Sequence, residues 1–179
     1  MNARLLLVAT ATATGLLAVS VPLTAFADTT GATTATLTVT GGVLSITVPT
    51  DAGSLGTRAN SVGGGAISGA LGTVEVSDGR SAAAGSGWVA SAISTAFTPL
   101  VGPAVAASAV AYSAGPITKV GTATYTPNDP SDLTGVAPVI TATGITGDNS
   151  ATWNPTITVT VPGGMAAGVY AATITHSVV

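Results

Sequence analysis

The sequence predicts an all-β fold, an antiparallel two-sheet β-sandwich preceded by a signal peptide. Three observations carry this. Short runs alternate β-branched residues with Thr or Ser at a period of two, the mark of a strand with one buried face. Gly and Pro punctuate those runs, with 23 Gly and 10 Pro in 179 residues. No stretch of the exported part carries an apolar stripe at helical spacing.

The first segment is a leader. It opens with the single charge Arg4, runs apolar from Leu5 to Val21, is broken at Pro22, and ends in Ala25-Phe26-Ala27. Small residues at the −3 and −1 positions predict a secretory signal peptide, residues 1–27, cleaved after Ala27. An uncleaved anchor is the competing reading, because the uncharged span approaches the ~20 residues that cross a bilayer. The Ala-x-Ala site favours cleavage, leaving one domain, 28–179, with no membrane span.

Within that domain, "LTVTGGVLSITVP" (37–49) reads as a hairpin. Leu37 and Val39, then Leu44, Ile46 and Val48, alternate with polar residues around Gly41-Gly42. Residues 51–72 are Gly-rich and predict loop with a short edge segment. "TVEVSDGR" predicts a strand entering a tight turn at Asp78-Gly79, and "GWVASAISTAFTPL" the next strand, with Trp88 and Ala90 on one face. The Ala-rich segment 101–120 is bracketed by Gly102-Pro103 and Gly115-Pro116, which predicts loop and short strand rather than helix. "TATYTPNDPSDLTG" ends in an acidic loop, and "APVITATGITGDNS" reads as a strand and turn. Last, Trp153, Ile157, Val159 and Val161 share a face opposite Thr156, Thr158 and Thr160. After Val161-Pro162-Gly163-Gly164, the residues Tyr170, Ala172, Ile174, His176 and Val178 share another.

Two stretches resemble the WxL domain of Gram-positive cell-surface proteins. "VEVSDGRSAAAGSGWVA" (74–90) is similar to that family's strand, Asp-x-Arg and Gly-Trp-x-Leu segment. "VTVPGGMAAGVYAATITHSV" (159–178) is similar to its closing Val-Pro, Ala-Gly-x-Tyr and Tyr-x-x-x-Leu-Thr-Trp-x-Leu pattern. The chain departs from the pattern at Ala90, Ile174, His176 and Val178, which stand where the family has Leu, Leu, Trp and Leu. The resemblance is therefore to a divergent member. It implies export, a two-sheet β fold, non-covalent attachment to cell-wall peptidoglycan, and association with companion surface proteins.

Composition narrows the function classes. Only 6% of residues are charged, against about a quarter in an ordinary soluble domain. Without the leader, three basic groups stand against seven acidic ones, a net charge of −4. That balance argues against nucleic acid or anionic lipid, which call for a basic patch. There is no Cys, so the fold holds without disulfides and no thiol chemistry is available.

The candidate binding residues are Trp88, Asp78, Arg80, Trp153, Tyr170 and His176. An indole face can stack on a sugar ring and its N–H can reach a hydroxyl. The other reading, and the preferred one, is that each Trp plugs a core otherwise built of small residues. Asp78 and Arg80 could hold a glycan or partner, or simply cap a turn and pair with each other. His176 is the only histidine, too isolated for a metal site. Asp129, Asp132 and Asp148 lack the ligand spacing of a calcium loop. Glu75 is the only glutamate, whereas glycoside hydrolysis takes two facing carboxylates. Neither an enzyme nor a cofactor is expected. The expected function is a secreted, wall-associated protein; the alternative is an assembly subunit that binds a companion surface protein or itself without touching glycan.

Overall fold

The computed structural model describes residues 32–179; the predicted leader and its cleavage site at Ala27 lie outside the described residues. The chain divides into two units after Thr38. In the first, residues 32–38 have no regular secondary structure and are exposed. The second, Val39–Val179, holds the β fold.

Its strands are β1 (Leu44–Thr47), β2 (Gly65–Ala70), β3 (Val74–Ser94), β4 (Thr98–Pro99), β5 (Val110–Ser113), β6 (Ile117–Pro127), β7 (Ala137–Trp153), β8 (Thr156–Val161), β9 (Tyr170–Ala171) and β10 (Ile174–Val178). One 3-10 turn, Ala107–Ala109, precedes β5. Every pairing is antiparallel. The larger sheet runs β1-β3-β7-β6, with β10 sharing the edge of β3 that β1 occupies at its other end. The smaller is β2-β8-β5, and β4 and β9 form a separate ribbon. Among the described residues no helix is long and apolar enough to cross a membrane.

The expected alternation places the core. Val74, Val76, Trp88, Ala90 and Ala92 of β3, Val139, Ile140, Ala142, Ile145, Ala151 and Trp153 of β7, and Val110, Tyr112, Ile157 and Val159 of the smaller sheet form one buried cluster. The sheets therefore face each other as a sandwich, at the burial that drives sheet packing. Trp153 and Ile157 share the inward direction as expected, but they belong to different sheets. Asn154-Pro155 carries the chain from β7 to β8, where Pro cannot donate to a ladder.

Three local expectations are corrected. The hairpin at 37–49 does not form: only its second half is a strand, and Leu37 and Val39 are 90% and 79% exposed. Gly41-Gly42 instead lies flat against β3, where a Cβ on Gly41 would stand 3.0 Å from the Arg80 carbonyl oxygen. The Gly42 N–H donates to the Gly79 carbonyl, and the Gly79 N–H donates to Val43 at 3.1 Å. The pair thus extends the pairing of β1 with β3 rather than reversing the chain.

Asp78-Gly79 makes no turn, and Gly147-Asp148 makes none either. β3 and β7 each run through, because partners hold them on either side. The mismatch in length is absorbed as bulges: Asp78 pairs Asn149, Ala82 pairs Gly147 and Ser86 pairs Ile145, so each step sets four residues of β3 against two of β7. Ser81 (φ 53°) and Gly85 (φ 88°) adopt the left-handed backbone those bulges use.

The two faces of β8 make the packing testable. Ile157 is fully buried, while its neighbour Thr158 points outward to Ser68, hydroxyl to hydroxyl at 2.8 Å. Ile157→Ala is expected to cost about 2–5 kcal/mol, and Thr158→Ala about 1 kcal/mol or less, both read from urea unfolding. Similar losses at the two positions would contradict this register.

Candidate functional site

The bulged centre of the larger sheet gathers three of the predicted site residues. Asp78 is 1% exposed. A bare carboxylate there would be costly, and the Arg80 side chain folds back to cover it. Arg80 Nε donates to Asp78 Oδ1 at 2.8 Å and Nη2 to Oδ2 at 2.9 Å, a bidentate pair. The Arg80 backbone N–H adds a third bond to Oδ1 at 3.1 Å. Nη2 also reaches the Gly87 carbonyl at 3.3 Å.

Asn149 links this pair to the aromatic residues. Its Nδ2 donates to Asp78 Oδ2 at 3.3 Å. Its Oδ1 accepts from Trp88 Nε1 at 3.0 Å and from the Tyr125 hydroxyl at 3.1 Å. The Trp88 and Tyr125 rings lie 5.5 Å apart, tilted by 47°. Arg80, through its hydrogen bonds to the carboxylate, holds Asp78 below the usual carboxylate range against the opposing effect of burial. Burial, followed by the nearby Asp78 charge, raises the Tyr125 phenol, so it stays a neutral donor.

A second network crosses between the sheets. Trp153 Nε1 donates to the Tyr112 hydroxyl at 2.8 Å, and that hydroxyl lies 3.2 Å from His176 Nε2. Trp153 and His176 belong to the larger sheet and Tyr112 to the smaller. Burial pushes the Tyr112 phenol well above its ordinary range and pushes His176 down. The consistent proton arrangement is Trp153 N–H to Tyr112 oxygen, and Tyr112 O–H to a neutral His176 Nε2. His176 Nδ1 is buried without a partner.

Of the two readings of the tryptophans, the structure has the core position preferred from the sequence and not the sugar-stacking one. Trp88 and Trp153 are each 2% exposed, so neither offers a ring face to a sugar; small neighbours leave them the volume of the core. Asp78 is spent on Arg80 and Asn149. Tyr170 joins neither network: it is half-buried, and its hydroxyl donates to the Ala166 carbonyl at 2.9 Å. Trp88, Asp78 and Arg80 do come together, as do Trp153 and His176. Sequence reasoning missed the residues that join them, Asn149, Tyr125 and Tyr112. The only local sign was polar residues at inward parity in strands.

The remaining aspartates considered as ligands serve their own backbone or a neighbour. Asp129 accepts from the Ala114 N–H at 2.8 Å, Asp132 from Thr134 at 2.9 Å, and Asp148 from the Ser81 N–H at 3.1 Å. Among the described residues no group of three or more His, Asp or Glu side chains is placed to hold a metal ion.

What the sandwich presents outward is hydroxyl and methyl. On the smaller sheet, Thr156, Thr158 and Thr160 of β8 are flanked by Ala66, Ser68 and Ala70 of β2 and by Ala111 and Ser113 of β5. No charge interrupts that face. On the larger sheet, Thr118, Thr122, Thr124 and Thr126 of β6 stand opposite Thr152, Thr146, Thr143 and Thr141 of β7. Between the sheets, a cavity of about 780 Å³ opens beside β2 and β10, under the segment Val48–Ser61.

Comparison with known proteins found no matching family model, no matching curated protein and no matching solved structure.

Two predictions follow from the buried polar networks. Tyr112→Phe strands the Trp153 N–H and removes the partner of His176, so a loss of about 1–3 kcal/mol is expected in urea unfolding. For pH, both shifted groups make the unfolded chain bind more protons than the folded one as the solution is acidified, so stability falls with pH. His176 begins to act as pH drops below its ordinary 6.5, and Asp78 below its ordinary 3.8. The urea midpoint should decline in those two windows. His176→Asn should abolish the upper decline and Asp78→Asn the lower; an unchanged profile in either variant would refute the assignment of that window.

Proposed function

We propose that this chain is an exported, non-catalytic, WxL-like surface protein that associates non-covalently with the Gram-positive cell wall. The supporting observation is the outer face of the smaller sheet, where eight Ala, Ser and Thr residues on three paired strands carry no charge. Hydroxyls at strand spacing, with methyl groups between them, match a glycan that offers hydroxyl edges and C–H faces. Such a face meets its target without the desolvation cost of charged side chains. The resemblance at 74–90 and 159–178 supplies the wall as the target, and the leader supplies the route out of the cell. With both tryptophans in the core, contact with peptidoglycan falls to the threonines rather than to an indole.

A second reading, an assembly subunit that pairs with a companion protein or with itself, is favoured by β6. This strand is 11 residues long and, among the described residues, hydrogen-bonds to β7 only, so its other side has no strand partner among them. A free edge of that length is a template for strand addition.

Co-sedimentation with isolated peptidoglycan separates the two. Retention of the wild-type protein, reduced about tenfold or more by the double substitution Thr156→Glu and Thr160→Glu, is the expected result. No retention, together with concentration-dependent oligomers in size exclusion, would replace the wall reading with the assembly reading.

A further inference from the structure

The cavity between the sheets is distinct from the outer face just described. Its walls are largely apolar, with Leu55, Ile67, Phe97, Val159, Met165 and Ile174 among them. Its volume of about 780 Å³ falls within the range of pockets that take a small organic ligand, about 300–1,000 Å³. One cation lines it, Arg58.

Arg58 is seated rather than free-ranging. β2 places Gly65 and Gly69 on either side of inward-facing Ile67. A Cβ at Gly69 would stand 2.5 Å from the Leu55 backbone, and one at Gly65 would occupy the place of the Arg58 guanidinium. The two glycines therefore let the segment above settle onto the sheet and hold the guanidinium at the cavity wall. Nη2 donates to the Gly64 carbonyl and reaches Ser61 Oγ at 3.4 Å. Among the described residues, Nε and Nη1 have no hydrogen-bond acceptor. The one ion pair there is that of Arg80 with Asp78. Asp51, on the same cavity wall, accepts the Gly53 N–H at 2.8 Å and does not pair with Arg58.

We propose that this cavity binds an anionic amphiphile, with an apolar body between the sheets and a carboxylate head on the open Nε/Nη1 edge of Arg58. The charge match carries the choice of ligand. A guanidinium offers two parallel donors suited to a carboxylate, and here Nε and Nη1 have no acceptor among the described residues, at the wall of a mainly apolar cavity. His176 and Tyr170 also line the cavity, but neither adds a charge: His176 is held neutral by burial. The proposal does not rest on wall association, which uses the opposite face of the smaller sheet.

The test is calorimetric titration of the purified protein with decanoate, 1-decanol and decyltrimethylammonium, repeated with Arg58→Gln. Decanoate should bind saturably at one per chain, and Arg58→Gln should weaken it about 10-fold or more, the worth of a charge-assisted hydrogen bond. Decanol should bind both proteins alike and more weakly than decanoate binds the wild type. Methyl NMR shifts on decanoate addition should fall on Leu55, Ile67 and Ile174. Arg58→Gln alters an exposed side chain, so an unchanged urea midpoint separates loss of binding from loss of fold. Absence of saturable decanoate binding, equal decanoate affinity in the variant, or shifts confined to other methyl groups would each overturn the proposal.

Discussion

A sandwich built from so few large side chains depends on where its aromatic groups are anchored. Among the described residues, Tyr112 is the one group that ties the two sheets by hydrogen bonds, taking the Trp153 N–H and facing His176, both from the other sheet. Trp88, Trp153 and Tyr112 are the large aromatic members of a core otherwise made mainly of Val, Ile and Ala. Each of them also carries a polar atom into the core, and a buried polar atom without a partner is costly. The fold therefore hinges on satisfying those atoms. Asn149 does so in the larger sheet, and the Tyr112 hydroxyl does so between the sheets.

Asp78 and Arg80 extend the same logic. The buried carboxylate accepts from the Asn149 amide, and the guanidinium supplies the counter-charge a buried carboxylate needs. Breaking such a pair by removing one partner leaves an uncompensated buried charge. The bulges around it follow from the same demand. Only with extra residues in β3 does Trp88 come level with Ala142 while its N–H reaches Asn149.

The polar atoms drawn inward leave the outside to hydroxyls and methyl groups. That separation divides the two surfaces proposed for binding: an uncharged outer face of the smaller sheet, and an inner cavity with a single seated cation.

The alternation of Thr with Val and Ile set the facing of side chains where strands formed, as at Ile157, Thr158 and Val159, while the same alternation at 37–40 formed no strand. Period two is a property of the local chain, and burial follows it wherever a sheet has one wet side. Turns were a different matter. Asp-Gly at 78–79 and Gly-Gly at 41–42 are turn dipeptides by local preference, yet one becomes a bulge and the other an extension of pairing, because flanking strands supply backbone partners that a turn would forfeit. The candidate site was legible only in part for a similar reason. Trp88, Asp78 and Arg80 are near neighbours in sequence, but Asn149, Tyr125 and Tyr112 reach them from strands far away in the chain. Local sequence sets which way a side chain faces; which partner it meets there is decided when the sheets close, because hydrogen bonding across layers depends on register that no single strand contains.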